Sequence, residues 1–195
     1  MEEIAMNQIN FDIWLLISQI FISARDIPYR VYFQGESNQQ KIIEAILRRG
    51  ASCSAKHELI GKALQLADIS IRYFSYAFKW VDLQIDYPKT LLHLAKTMPI
   101  TQHTVIEINI SDNKYLLDAT WDKPLSAIGL PINDIDNILN CKLAIIPCEE
   151  PVIYRNIKEW DNYTRTKWLS TSTKTANTQA LFYSQLNSWF KIIRA

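Results

Sequence analysis

A cysteine at the start of a predicted helix is the first residue of the chain that could carry covalent chemistry. Cys53 follows Gly50 and two small residues, at the point where apolar residues begin to recur at helical spacing. These apolar residues are Ala55, Leu59, Ala63 and Leu66. Free backbone N–H groups and the positive end of the helix dipole activate a thiol in a first turn. Cys53 is therefore a candidate nucleophile, although an inert core cysteine beside a helix cap fits the same stretch.

A cysteine nucleophile needs a base, and three histidines are candidates. His57 lies four residues after Cys53 on the same predicted helix face, where a structural hydrogen bond is the better interpretation. His93 stands in a connecting segment with nothing to orient it. His103 opens a predicted strand whose hairpin partner carries carboxylates, so we predict that His103 is the base.

The predicted hairpin offers two carboxylates that could orient the imidazole. A turn centred on Asp112-Asn113 pairs Ile110 with Tyr115, and alternation then sorts four polar residues to one face. They are His103, Glu107, Asp118 and Asp122. In this register Asp122 lies opposite His103, whereas Asp118 is four residues along the strand, roughly 13 Å away. The pattern alone leaves either aspartate as the orienting member of a Cys–His–Asp triad, and a hairpin with solvent-facing charges is the alternative.

The elements that must position these residues are predicted as helices first and antiparallel strands afterwards. Helices are predicted over 11–24 with Asn10 as a cap, over about 37–48 and 53–66, and over 180–193. Strands are predicted over 69–80, 103–110, 114–121 and 142–147, and the Ser/Thr-rich stretch 170–178 is predicted as a loop. Without an internal repeat or a linker, we predict one α+β domain over residues 1–195.

Composition and charge limit the classes of partner. The 195 residues are 48% hydrophobic with a net charge of +1, which gives no electrostatic reason to expect nucleic acid. Three cysteines without a CxxC pair and three scattered histidines predict neither a disulfide framework nor a metal site. Four glycines form no phosphate-binding loop, so no cofactor is predicted.

The beginning of the chain bears on localisation. The segment MEEIAMNQIN carries two acids where a signal peptide is basic. The apolar run 11–24 includes Asp12 and Gln19 and falls short of the roughly 20 residues that span a bilayer. We therefore expect a cytoplasmic protein without stable membrane insertion, and the odd cysteine count suits a reducing compartment.

Three segments resemble the core motifs of the transglutaminase-like superfamily. They are, in order, GASCSAKHELI, HTVIEINI and YLLDATWD. The resemblance implies a papain-like core, a nucleophile helix packed on an antiparallel sheet, with Cys53 as nucleophile, His103 as base and Asp118 as orienting carboxylate in preference to Asp122. The first segment is similar to small bacterial members, in which Ile27-Pro28-Tyr29-Arg30 also has a counterpart. The interval of 15 residues between His103 and Asp118 resembles that of the related arylamine N-acetyltransferases.

The resemblance covers about residues 27–121 and leaves two features unplaced. The upstream Trp or Gln that stabilises the oxyanion in the family could be Trp14, Gln34 or Gln40, with the backbone N–H of Cys53 as a further donor. The calcium-binding loops of animal transglutaminases have no counterpart here. Residues 148–195 resemble nothing recognised, and their aromatic residues could dock a protein partner. These aromatic residues are Trp160, Tyr163, Trp168 and Trp189.

The predicted function is a cofactor-free cysteine enzyme that acts on an amide bond through an acyl-enzyme intermediate. The expected substrate is a peptide, a protein or a small amide. Hydrolysis, as an amidase, cysteine protease or deamidase, is favoured over cross-linking because water needs no second pocket. The alternative is a catalytically silent transglutaminase-like scaffold. Acetyl transfer from a thioester cofactor is disfavoured because no cofactor-binding lid is evident.

Overall fold

A computed structural model describes residues 2–32, 38–154, 156, 158–159 and 173–195. Within these ranges the helices are α1 (Glu2–Arg25), α2 (Asn38–Ile46), α3 (Cys53–Leu66), α4 (Lys89–Ala95) and α5 (Thr173–Ile193). The strands are β1 (Ile71–Phe78), β2 (Thr101–Ile110), β3 (Asn113–Leu117) and β4 (Val152–Tyr154). Short 3₁₀ helices cover Trp80–Asp82, Lys123–Ile128 and Ile135–Asn140. This mixture of helices and an antiparallel sheet confirms the α+β class, while the papain-like core stays a prediction.

The four strands form one antiparallel sheet in the order β3-β2-β1-β4. Six of the eight residues of β1 are buried, as expected for an inner strand with apolar residues on both faces. The strand predicted over 142–147 is wrong, because that stretch contributes only the bridge between Phe78 and Pro147. Its backbone is used by side chains instead: Ala144 N–H donates to Asp118, and Ala144 C=O accepts from Trp121.

The register predicted for the β2–β3 hairpin is also wrong, by two residues. Ile110 pairs with Asn113 rather than with Tyr115. The two turn residues, Ser111 and Asp112, both take positive φ (50° and 64°), which is the backbone of a tight hairpin turn whose twist matches that of the strands. A shift of two residues leaves each side chain on its predicted face and moves Asp118 roughly 7 Å along the strand towards His103.

The helices differ from the predictions mainly at their ends. α1 already begins at Glu2, so Asn10 lies inside it and is not its cap. α5 begins at Thr173, so the loop prediction is wrong for 173–178, while 170–172 lie outside the described residues. α2 ends at Ile46, shortly before Arg48 takes a positive φ of 56°. Over the described part of the chain, no helix has both the length and the apolar character required to cross a membrane.

Two large groups of buried side chains, and a small third one between α2 and the start of α3, hold the described elements together. The first joins α1 and α3 to one face of the sheet, and it includes Ile17, Phe21, Ile60, Leu64, Tyr73, Ile106 and Ile108. The second joins α5 to the segments around Trp80 and Trp121, and it includes Phe182, Leu186 and Phe190. The start of α3 lies at the second group, because Cys53 is one of its members.

Gly61 lies where α3 crosses β1, and its lack of a side chain allows that approach. A Cβ at this position would meet the Tyr73 hydroxyl, and Ile71 Cδ1 at 2.8 Å. We expect Gly61→Ala to lower the free energy of unfolding by about 1–3 kcal/mol, although alanine is the better helix former. Urea unfolding measures the change, and Gln65→Ala on the exposed face of the same helix is the control, with a shift within about 0.5 kcal/mol. Stabilisation by Gly61→Ala would contradict the close contact.

Candidate active site

The start of α3 is fixed by a cap and by the chain segment before it. Ser52 is the N-cap, in extended conformation, and its hydroxyl accepts the N–H of Ala55 at 3.4 Å. Ala51 donates to Pro28 C=O at 2.9 Å and accepts from Arg30 N–H at 3.0 Å, which joins this loop to the segment after α1. Cys53 is then the first helical residue, as predicted, and 9% of it is exposed.

His103 lies between Cys53 and Asp118. Its Nε2–H donates to Asp118 Oδ2 at 2.7 Å, and Cys53 lines the same cavity as His103, close enough for its side chain to help raise the pKa of His103. Because the carboxylate occupies Nε2, the nitrogen that remains for the sulfur is Nδ1. The imidazole is buried, with 1% exposed. The structure therefore brings together the three residues that the sequence selected.

The carboxylate of Asp118 accepts further hydrogen bonds besides the one from His103. Oδ2 also accepts the N–H of Ala144 at 2.7 Å. Oδ1 accepts both the hydroxyl (2.6 Å) and the N–H (3.2 Å) of Thr120. The Thr of the Asp-x-Thr step is thus a direct partner of the carboxylate, and the four hydrogen bonds fix the carboxylate plane towards His103. β3 ends at Leu117, and the backbone groups of residues 118–120 bond to side chains instead.

In the buried pair of His103 and Asp118, charge attraction shifts the pKa values more than burial does. Burial alone lowers the pKa of His103, but Asp118 and Cys53 more than offset it and raise the pKa of His103 to about 10. Burial alone raises the pKa of Asp118, but His103, with smaller contributions from His57 and Thr120, lowers it to about 2. At neutral pH the pair is an imidazolium beside a carboxylate.

His57 has structural contacts at both ring nitrogens, in agreement with the interpretation from the sequence. Nδ1–H donates to Cys53 C=O at 2.8 Å, and Nε2 accepts the N–H of Ala119 at 2.9 Å. A carbonyl can only accept and an N–H can only donate, so these partners define a neutral imidazole. Burial lowers the pKa of His57 to about 4. His57 therefore connects the first turn of α3 to the residue after Asp118.

Lys56 is a residue of the site region that the sequence analysis missed. It is fully buried, and Nζ donates to Arg25 C=O at 2.8 Å and to Thr120 C=O at 2.9 Å. Burial lowers its pKa to about 7. Together, Lys56 and His57 bind the two residues after Asp118 to the helix that carries Cys53. Its position in the sequence could have indicated this burial, because Lys56 precedes Ile60 by four residues and so lies on the buried face of the helix.

Asp122, the second candidate for the orienting carboxylate, is engaged elsewhere. Its two oxygens pair with Arg194 at 2.6 Å each, and Oδ1 also accepts the N–H of Tyr29 at 2.7 Å. Glu107 is likewise outside the site, because it pairs with Arg72. His93 is exposed on α4.

The candidates for an upstream oxyanion donor stay without support from the structure. Trp14 packs edge-on against Tyr115, with ring centroids 4.8 Å apart, and belongs to the other core group. Gln34 lies outside the described residues, as do Trp160, Tyr163 and Trp168, and the side chain of Gln40 is not described either. Trp189 packs against Phe190 and Tyr87.

A cavity of about 160 Å³ opens onto Cys53 and His103. Its wall is largely aromatic and includes Tyr29, Phe78, Trp80, Trp121 and Tyr183. Thr101 and Gln102 at the start of β2 add polar groups beside His103. Within the described ranges, no three His, Cys, Asp or Glu side chains come together as a metal site would require. The arrangement offers a sulfur, an imidazole and a carboxylate in series at one end of a narrow pocket.

Comparison with known proteins does not assign the chain to a family. No family model matches the chain, and neither a curated protein nor a solved structure matches it. The transglutaminase-like resemblance therefore stays a prediction from the three sequence segments.

Proposed function

We propose that the protein is a cysteine-dependent acyl-transfer enzyme that acts on an amide bond through an acyl-enzyme intermediate. The observation that carries the proposal is that Cys53, the first residue of α3, and His103 line one cavity, while His103 is hydrogen-bonded to the buried Asp118. A scaffold has no need of a histidine that shares a cavity with a thiol and is bonded to a fully hydrogen-bonded carboxylate. Nucleophilic catalysis by a thiol needs this series.

The reaction would proceed in two halves. The Cys53 thiolate attacks the amide carbon, and the backbone N–H at the start of α3 stabilises the negative oxygen. His103 gives its proton to the leaving amine, which leaves a thioester on Cys53. The neutral imidazole then takes a proton from water, the hydroxide attacks the thioester carbon, and the carboxylic acid leaves as the Cys53 thiolate is restored. Asp118 keeps Nε2 protonated throughout, so that Nδ1 handles the proton.

The size of the cavity favours water as the second reactant. A volume of about 160 Å³ is small compared with the roughly 300–1,000 Å³ of most ligand pockets. Such a pocket accepts one acyl group and leaves little room for a second amine substrate. We therefore favour an amidase, peptidase or deamidase over a cross-linking transglutaminase. The free thiols of Cys53, Cys141 and Cys148 suit the reducing conditions of the cytoplasm.

A catalytically silent scaffold is the second candidate. It is favoured by the small exposed fraction of Cys53, 9%, and by the aromatic rings of the chain itself that surround the sulfur. The two candidates differ in the reactivity of one thiol. In a scaffold Cys53 behaves as a covered cysteine, whereas in an enzyme a small electrophile reaches it and reacts.

Alkylation at pH 6 tests the proposal. An ordinary thiol with a pKa near 8.5 is under about 1% ionised at this pH, so only an activated cysteine reacts quickly. We expect iodoacetamide to modify Cys53 at least about 10-fold faster than Cys148, although Cys148 is exposed. Cys141 should be slowest, because burial raises its pKa to about 11. Intact mass and peptide mapping give the three rates.

Two variants make the labelling result unambiguous. Cys53→Ala should remove the fast modification, and Cys148→Ser should leave it unchanged. If Cys53 reacts no faster than Cys141 and Cys148 in the folded protein, the enzyme proposal is wrong and the scaffold is favoured.

A further inference from the structure

A second cavity, of about 450 Å³, shares Tyr29 with the lining of the Cys53 pocket. Four basic residues line it, and we call it the basic groove. These are Arg30 from the segment after α1, Arg49 from the loop before α3, and Lys191 and Arg194 from the end of α5. Three distant parts of the chain therefore bring positive charge to one concave surface.

The positive charge of the basic groove is only partly compensated. Asp122 pairs with Arg194, and Glu44 lies 3.4 Å from Arg49. Arg30 stacks its guanidinium over the Tyr32 ring at 4.7 Å and keeps its N–H groups at the surface. In the part of the chain that the structure describes, neither Arg30 nor Lys191 has a carboxylate within ion-pair distance. Among the described residues, about two positive charges of the groove are thus left without a carboxylate partner.

Tyr29 connects the basic groove to the Cys53 pocket. Its backbone C=O accepts Arg194 Nη2–H at 3.1 Å on the groove side. Its ring packs on Trp121 in the wall of the Cys53 pocket, with ring centroids 4.5 Å apart. Asn187 of α5 binds both backbone groups of Val31 and fixes the segment that separates the two spaces. Tyr29 lines both spaces, so a peptide bound across it has to reach past this residue, and two or three extended residues span roughly 7–11 Å.

We infer that the basic groove binds a carboxylate of the substrate, so that the enzyme selects acidic acyl substrates, foremost acidic peptides. The inference rests on the proposed function, because it assigns the groove to the molecule that acylates Cys53. A guanidinium and an ammonium together satisfy a carboxylate by charge-assisted hydrogen bonds. Two uncompensated charges match one such group and are too few for a polyanion such as nucleic acid. The carboxylate can come from an acidic side chain or from the end of a peptide.

A binding experiment with Cys53→Ala decides the inference without requiring turnover. The probes are three fluorescent alanine-rich hexapeptides: one with Glu and an amidated end, one with Gln and a free C-terminal carboxylate, and one with Gln and an amidated end. We expect at least one carboxylate peptide to bind about 10-fold more tightly than the neutral one, and the preferred peptide identifies the source. The preference should weaken with added salt, because the cations are near the surface.

A matched pair of charge variants tests the site itself. Arg30→Gln with Lys191→Gln should abolish the preference for the carboxylate. Lys89→Gln with Lys96→Gln removes two exposed charges from the α4 region and should leave the preference unchanged. Equal affinity for all three peptides, or a preference that survives Arg30→Gln with Lys191→Gln, would overturn the inference.

Labelling with matched electrophiles separates this inference from the proposed function. Two chloroacetamide probes, identical except that one carries a distal carboxylate and the other a carboxamide, are compared on the wild-type protein, which keeps Cys53. Faster labelling by the carboxylate probe supports both proposals. Equal labelling of Cys53 by the two probes supports the enzyme proposal and contradicts the inference that the basic groove binds a carboxylate of the substrate. If neither probe labels Cys53, the enzyme proposal fails, and the peptide-binding result alone decides the groove.

Discussion

Asp118→Asn is expected to lower the rate of thioester formation on Cys53 by roughly 10³-fold or more, while the chain stays folded. The four hydrogen bonds that Asp118 accepts all come from donors: His103, Ala144 and, twice, Thr120. An amide offers one oxygen and one NH₂ group, so it cannot accept at both positions. Either orientation of the new amide therefore turns its NH₂ group towards at least one of these donors.

The chemical consequence falls on His103. If the amide places its NH₂ group at the Oδ2 position, Nε2 of His103 must accept, and the proton moves to Nδ1. A protonated Nδ1 on a neutral ring cannot take the proton of the Cys53 thiol. If the amide turns the other way, Thr120 loses its acceptor and the side chain shifts away from its position beside His103. Loss of the negative charge also withdraws the main cause of the raised pKa of His103, so the imidazolium is less stable in either orientation.

The measurement is the burst of p-nitrophenol from p-nitrophenyl acetate, with intact mass to confirm acetylation of Cys53. Asp112→Asn in the exposed hairpin turn makes the same chemical change and should keep the wild-type burst. His103→Gln should cost at least as much as Asp118→Asn, and the double variant should be no worse than His103→Gln alone, because residues that act as a unit are not additive. A near wild-type burst from Asp118→Asn would contradict the prediction that Asp118 orients His103.

The parts of the site that could be predicted from the sequence are those set by local rules. Gly50, the small residues after it and helical periodicity were enough to place Cys53 at the first turn of α3. Alternation along β2 and β3 assigned His103 and Asp118 to one face, and this survived a register error because the error was an even number of residues.

What could not be predicted depends on contacts between distant parts of the chain. From spacing alone Asp122 lay opposite His103, and only the family resemblance favoured Asp118. The structure assigns Asp122 to Arg194, 72 residues away, and Asp118 to a backbone N–H 26 residues away. No local pattern encodes such pairs. The burial of Lys56 has the same origin, since its two acceptors lie 31 and 64 residues away.

Acidification is expected to destabilise the protein through His57. The neutral ring is fully buried, and its folded-state pKa of about 4 is below the value near 6.5 of an unfolded chain. Between these two values the unfolded chain binds a proton that the folded chain excludes. The contribution of His57 to stability is therefore present above about pH 6.5 and is lost as the pH falls towards 4, by about 2 kcal/mol between pH 6.5 and 4.5.

The other perturbed groups of the site titrate outside this window, so the slope can be assigned. His103 has a raised pKa of about 10, and its contribution is complete below about pH 6.5 and is lost only as the pH rises. Asp118 has a lowered pKa of about 2, and its contribution is lost below about pH 4. Lys56, with a lowered pKa of about 7, is protonated in both states at pH 6 and below. A fall in stability between pH 6.5 and 4.5 thus reports on His57.

Urea unfolding at pH 6.5 and pH 4.5 measures this effect in the wild type and in two histidine variants. His57→Gln should be less stable at pH 6.5, because Ala119 N–H and Cys53 C=O lose well-placed partners, but its stability should change by less than about 0.5 kcal/mol between the two pH values. His93→Gln, at an exposed position, should keep the wild-type slope. If His57→Gln still loses about 2 kcal/mol on acidification, the neutral imidazole is not the group responsible. If the stability of His57→Gln does not change between the two pH values, the loss of stability on acidification belongs to His57. The link that His57 makes between Cys53 C=O and Ala119 N–H then depends on an uncharged imidazole.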